Sequence, residues 1–96
     1  MIIVGRKQDP RAEYIGRGSP LGNPFVMKHE GMRDEVCEKY EAWFREQIAS
    51  GNARVLNELR RLYKIAAQGD LVLGCFCAPK RCHGETIKRF LEGYLK

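Results

Sequence analysis

The sequence predicts a small single α/β domain spanning residues 1–96, with a short, mostly parallel sheet and three main helices, Rossmann-like in part. Two short apolar runs, Ile2–Val4 and Leu71–Cys75, are typical of buried strands. Three longer segments repeat apolar residues at helical spacing. A chain of 96 residues is long enough for one modest core and too short for two domains.

In the first half of the chain, the first strand is followed by a loop and then by a helix. A second short extended piece is expected around Tyr14 and Ile15. The next segment, Gly16–Phe25, contains three glycines and two prolines, which exclude regular secondary structure. We call it the glycine–proline loop. From Asp34 onward, apolar residues recur with a helical period. Asp34 is expected as the N-cap or as an acidic residue of the first turn, and Gly51 is expected to end the helix.

The second half contains a helix, a strand and a final helix. Asn52 is a suitable N-cap for the middle helix, and Gly69 a suitable end. The continuous apolar run Leu71–Cys75 is expected for a strand covered on both faces. After a cysteine-rich loop comes the last helix, with Cys82 and His83 expected in its first turn. In open α/β sheets ligands bind beyond the carboxyl ends of the strands, so the two unusual loops are predicted to share one site.

The charge balance predicts an anionic partner. Lysine and arginine total 17 against 12 acidic residues, a net charge of +5. This excess suits a small nucleotide-like or phosphorylated ligand, or a nucleic acid, and a solvated basic surface would explain it equally well. No apolar run reaches the roughly 18–20 residues of a membrane span, and the N-terminal run is too short for a signal peptide. We therefore expect no membrane partner and a cytoplasmic location, where the cysteines stay reduced.

The segment Cys75–Gly84, here called the cysteine loop, contains three cysteines and one histidine. These are ligand types for Zn²⁺, which makes a metal site the first interpretation. Only one residue separates Cys75 from Cys77, fewer than zinc motifs usually have. Adjacent Cys82 and His83 would also point about 100° apart on a helix. We therefore expect no stoichiometric zinc and assign no metal ligand, and the cofactor stays unknown.

A reactive thiol and an anion-binding loop are the other two interpretations. At a helix N-terminus beside Lys80 and Arg81, Cys82 is expected to be the most reactive thiol, with His83 assisting. Cys82 and His83 are therefore the candidate catalytic residues. In the last interpretation the loop binds an anion, and its sulfur side chains only pack beneath it. Cys37, on an apolar helical face, is expected to pack in the core.

The glycine–proline loop matches neither the Walker nor the dinucleotide-binding spacing. Gly18 and Gly22 remove side chains where a ligand could approach the backbone. Asn23 offers donor and acceptor atoms, and Arg17, joined by Arg33, can bind phosphate or carboxylate. The alternative is a rigid turn that only connects two elements. The predicted ligand-binding residues are Arg17, Gly18, Gly22, Asn23, Arg33, Cys75, Cys77 and Gly84.

Two motifs resemble those of one family. They are GNPF at residues 22–25 and CxCxPxxCHG at residues 75–84. A helix that opens with Arg33 and contains Tyr40 and Trp43 lies between them. With these features the chain resembles, over nearly its whole length, an uncharacterised (domain of unknown function) family of small bacterial and phage proteins. The resemblance implies an α/β fold, a site shared by both motifs and no established reaction. The matching residues are Arg17, Gly22, Asn23, Pro24, Arg33, Cys75, Cys77, Pro79, Cys82, His83 and Gly84.

The leading hypothesis is a domain that binds a nucleotide-like or phosphorylated molecule, with enzymatic turnover left open. Arg17 and Arg33 would hold negative charge, Asn23 would orient the ligand, and Cys82 and His83 would contact phosphate or act on the substrate. One alternative is a non-catalytic zinc-binding module that contacts nucleic acid or protein. Another is a phage-type protein that sequesters a host factor. The sequence predicts no oligomeric state.

Overall fold

A computed structural model describes residues 1–75 and 82–95, without the side chain of residue 95. It confirms an α/β fold with a short parallel sheet and three main helices. The elements are, in chain order, strand β1 (Ile2–Arg6), strand β2 (Ala12–Tyr14), a 3-10 turn (Glu30–Met32), helix α1 (Arg33–Ala49), helix α2 (Ala53–Gln68), strand β3 (Leu71–Cys75) and helix α3 (Gly84–Leu95).

The sheet has the order β1-β3-β2, with both pairings parallel. Strand β3 is central and every one of its residues is buried, as its unbroken apolar sequence predicts. Cys75 pairs with Arg6 and Gly74 pairs with Tyr14, so all three strands end at the same edge. This edge is where the glycine–proline loop begins and where the cysteine loop leaves the sheet.

Local signals set the limits of the first two helices. The Asn52 side chain accepts hydrogen bonds from the backbone N–H groups of Arg54 and Val55 at 3.1 and 3.4 Å, capping α2. Gly69 follows the last turn of α2. Gly51, with φ of 74°, follows α1 and adopts the left-handed conformation that glycine tolerates.

Helix α3 begins at Gly84, one residue before the start predicted at Glu85, and Cys82 and His83 precede it rather than occupying its first turn as expected. A β-carbon on Gly84 would lie 3.0 Å from side-chain atoms of both Ile15 and Val4. Because glycine has no β-carbon, the start of α3 packs directly against β1 and the residue that follows β2. The carbonyls of Cys82 and His83 still accept hydrogen bonds from the first turn.

The core lies between the sheet and the helices. Helix α3 packs on β1 and β3, and α2 packs on β3 and α3. The largest side chains that are completely enclosed include Tyr40 and Phe44 of α1. In the described part of the chain, no helix combines the length and apolar character needed to cross a membrane.

Candidate functional site

A pocket of about 250 Å³ lies at the carboxyl edge of the sheet. It brings the glycine–proline loop against the two ends of the cysteine loop, and this predicted juxtaposition is confirmed for the described residues. The lining residues are Tyr14, Gly16, Arg17, Asn23, Phe25, Met27, Arg33, Val36, Cys37, Cys75, Cys82 and His83.

One part of the pocket wall is a cysteine–histidine cluster, formed by Cys75, Cys82 and His83. One sulfur or nitrogen atom from each residue lies within 4.8 Å of the others. The three residues are 3%, 4% and 6% exposed, respectively. Cys75 is placed by the end of the central strand, and the other two by the segment that leads into α3. The tertiary structure thus gathers residues seven and eight positions apart around one point.

The ring of His83 is held in one orientation. Its Nε2 lies 2.6 Å from the backbone oxygen of Ile15. The ring also meets Tyr40 edge-on, with 4.9 Å between the centroids. Because a carbonyl oxygen only accepts hydrogen bonds, Nε2 is assigned as the donor and Nδ1 keeps its lone pair in the neutral ring. Nδ1 is therefore the atom that can bind a metal or accept a proton.

Tyr40 connects α1 to the glycine–proline loop. Its buried hydroxyl donates a hydrogen bond of 2.8 Å to the backbone oxygen of Leu21. Burial, and to a smaller extent the charge of Cys82, raises the pKa of Tyr40 far above its usual value, so the phenol stays protonated. From the sequence, Tyr40 is predicted on the apolar face of the first long helix and matches the family's middle segment, with no role at the site. A tyrosine on an apolar helical face needs a partner for its hydroxyl, and this was the available signal.

Two glycines predicted to bind a ligand have conformational roles in the glycine–proline loop. A β-carbon on Gly22 would lie 2.6 Å from the backbone oxygen of Gly16, so Gly22 permits the loop to close on itself. Gly18 has φ of 90°, which glycine tolerates best. Neither Gly18, Gly22 nor Gly84 lines the pocket, and their contact with a ligand stays a prediction.

The polar side chains of the site differ in the hydrogen bonds that they make within the protein. Arg17 is exposed and lines the pocket. Arg33 also lines it, but its Nε and Nη2 each donate to the Glu30 carboxylate at 2.7 Å. The Asn23 side-chain oxygen accepts the Phe25 N–H at 2.9 Å, so the group that Asn23 can offer a ligand is chiefly its NH₂.

Sequence reasoning missed four lining residues, Tyr14, Met27, Val36 and Cys37. Cys37 is buried on α1 as expected, and it also borders the pocket. Val36 and Cys37 follow the apolar period of α1, but this period does not show that they border the pocket, because that depends on how α1 packs beside the sheet. Cys77, Lys80 and Arg81 lie outside the described residues. The reactivity of Cys82 stays a prediction, and its side chain is as enclosed as those of Cys37 and Cys75.

Fold and site together define a small α/β domain with a cysteine- and histidine-lined pocket at the carboxyl edge of its sheet. The chain belongs to the family described as Domain of unknown function (DUF4326), whose model matches residues 4–93. It is similar to a phage protein described as "Uncharacterized 12.4 kDa protein in nrdA-td intergenic region" from Enterobacteria phage T4. The two are 33% identical over 94 residues, covering 98% of this chain and 80% of that protein. No solved structure matches the chain.

Proposed function

We propose that the pocket binds a small anionic ligand of nucleotide-like or otherwise phosphorylated chemistry. The observation that supports this most directly is the set of side chains that line one pocket. Arg17 and Asn23 border the same pocket as Cys82 and His83. A guanidinium, an amide donor, a thiol and an imidazole therefore converge there, as expected for a ligand site.

The local charges favour Arg17 as the principal anion-binding group. Its guanidinium can fork onto two oxygens of a phosphate or carboxylate. The charge of Arg33 is balanced by Glu30, through two hydrogen bonds that hold both side chains in place. We assign Arg33 a supporting role, as a fixed wall whose orientation depends on that pair.

The size and walls of the pocket narrow the ligand class. A volume of about 250 Å³ lies just below the range of roughly 300–1,000 Å³ that is usual for ligand pockets, which suits a mononucleotide or smaller phosphorylated molecule better than a dinucleotide. Tyr14 and Phe25 contribute aromatic surface that can stack on a planar base. Cys82 and His83 would then lie within reach of the reactive end of a bound molecule.

The wider basic surface favours a nucleic-acid partner less. Several of its arginines pair with acidic neighbours, including Arg45 with Glu41 at 3.3 Å and Arg61 with Glu58 at 2.6 Å. Such pairs lower the positive potential that a phosphate backbone would meet. Arg17, by contrast, borders a concave site. This difference favours a small ligand over an extended polyanion.

Calorimetric titration with inorganic phosphate and with AMP, GMP, CMP and UMP at low ionic strength tests the proposal. Arg17→Ala should weaken binding of the best of these ligands about tenfold, equivalent to about 1.4 kcal/mol. The matched control is Lys64→Ala, which removes an exposed cation of α2 away from the pocket. It should leave affinity within about twofold, given the small effect of distant surface charges. Equal losses in both variants, or no binding by any of these anions, would contradict the proposal.

A further inference from the structure

We propose that Cys75, Cys82 and His83 bind one Zn²⁺ ion, through two sulfur atoms and Nδ1, with the fourth coordination position facing the pocket. This inference goes beyond anion binding and does not depend on it, because zinc can be measured in the absence of any other ligand.

The spacing of the cluster fits a tetrahedral site. Both sulfur atoms and one ring nitrogen of His83 lie within 4.8 Å of one another. Around a zinc ion with Zn–S distances near 2.3 Å, neighbouring ligand atoms of a tetrahedron are about 3.8 Å apart. The spacing therefore exceeds the tetrahedral value by at most about 1 Å, which is in the range that side-chain rotation covers.

The hydrogen bond of His83 matches the way zinc-bound histidines are held. Metal-ligating histidines usually donate their other ring N–H to a backbone carbonyl or carboxylate. Here Nε2 lies 2.6 Å from the Ile15 oxygen, which directs the lone pair to Nδ1. The ring is further restrained by Tyr40. Packing alone does not require that a histidine keep the lone pair of one ring nitrogen available beside two cysteines.

Charge balance also supports the assignment. Two thiolates and a neutral imidazole around Zn²⁺ give a complex with no net charge. A neutral complex suits residues that are only 3–6% exposed, because burying an uncompensated charge is costly.

The geometric objections drawn from the sequence do not apply to this set. Cys82 and His83 precede α3, so the divergence of adjacent helical residues does not separate them. The cramped CxC spacing concerns Cys77, which is not among the three ligands. The two arguments from sequence against stoichiometric zinc therefore do not apply to these three ligands.

Among the described residues, the cluster supplies three ligands, one fewer than a purely structural zinc site usually has. Catalytic sites also have three protein ligands and leave one position for water or substrate. All three cluster residues line the pocket. In the proposed site the fourth ligand is water, or an oxygen of a molecule bound near Arg17.

The first test is a zinc titration of the wild-type protein, reduced, stripped with a chelator and competed against a chromophoric chelator. We expect one equivalent per chain with Kd below about 1 µM. Co²⁺ in place of Zn²⁺ should give the visible absorption of a tetrahedral thiolate site. Uptake below about a tenth of an equivalent, or an octahedral Co²⁺ spectrum, would overturn the assignment.

Substitutions supply a matched comparison among buried cysteines. Cys75→Ser and Cys82→Ser should each weaken zinc binding at least about 100-fold. Cys37→Ser, which alters another buried thiol at the same pocket, should leave zinc affinity unchanged. Circular dichroism establishes that each variant is folded. Equal losses in all three, or full binding in Cys82→Ser, would refute the ligand set.

Thiol protection in the wild-type chain tests the same ligands without depending on the folding of a variant. Zinc should slow alkylation of Cys75 and Cys82 by iodoacetamide, as read by peptide mapping, and leave the rate at Cys37 unchanged. Uniform protection, or none, would count against the proposal. Zinc uptake without anion binding would leave the metal site standing and reject the proposed function. Anion binding without zinc uptake would do the reverse.

Discussion

Two concave regions of this domain differ in what they can do. The larger is a groove of about 420 Å³ between α2 and α3, and the smaller is the pocket of about 250 Å³ at the sheet edge. The groove is lined by Leu56, Leu59, Arg60, Tyr63, Lys64, Phe90 and Tyr94. The candidate site is therefore identified by the side chains that line a cavity and not by the cavity's volume. Among the described lining residues, thiols and an imidazole occur only in the pocket.

The two regions also arise differently. The groove lies where two amphipathic helices meet without filling the space between their exposed edges, and Tyr94 there is 63% exposed. Its shape follows from side-chain sizes along regular helices. The pocket depends on loop backbone, on the hydrogen bond from Tyr40 to Leu21 and on the one from His83 to Ile15. Substitutions at the pocket should therefore lower the free energy of unfolding more than equivalent substitutions at the groove.

The largest effect on stability is expected for Gly22→Ala. The new β-carbon would lie 2.6 Å from the backbone oxygen of Gly16, and backbone cannot yield as a flexible side chain can. We expect a loss of about 3 kcal/mol in the free energy of unfolding, together with loss of phosphate or nucleotide binding. Urea denaturation and calorimetry measure the two quantities. A variant as stable as the wild type would show that the loop does not need this close approach.

A smaller effect is expected for Tyr40→Phe, which leaves the buried Leu21 carbonyl without the hydroxyl that now donates to it. The loss should be about 1–3 kcal/mol. Tyr94→Phe, in the groove, is the matched control and should change stability by less than about 0.5 kcal/mol, because its side chain is largely exposed. Thermal or urea unfolding of both variants makes the comparison. If they behave alike, Tyr40 does not hold the loop onto α1.

The smallest effect, and one of opposite sign, is expected for Gly93→Ala on α3. Apart from its chain neighbours and the backbone of its own helix, no described atom lies within 4 Å of the added β-carbon, and the residue is exposed. Alanine restricts the unfolded chain and favours helix, so stability should rise by about 0.5 kcal/mol. Zinc and phosphate binding should be unchanged. A destabilised Gly93→Ala variant would mean that α3 is more constrained near its end than its exposure indicates.

Most elements could be predicted because their signals are local. Asn52 caps α2 through N–H groups two and three residues away, and Gly69 follows that helix as predicted. The all-apolar run Leu71–Cys75 specified a doubly covered strand. The position of Cys82 and His83 before α3, rather than in its first turn, could not be predicted from nearby residues. The segment that contains them packs through Gly84 against Ile15 and Val4, which are distant in sequence.

The fold class, the composition of the two loops and the edge of the sheet where they meet can all be read from the sequence. Which side chains share the site depends on the tertiary structure. It places Cys75, Cys82 and His83 around one point and leaves Gly18, Gly22 and Gly84 outside the pocket lining. The physical reason is the range of the interactions involved. Caps, turns and apolar periods act over a few residues, whereas ligand geometry depends on strand order and on contacts between distant segments.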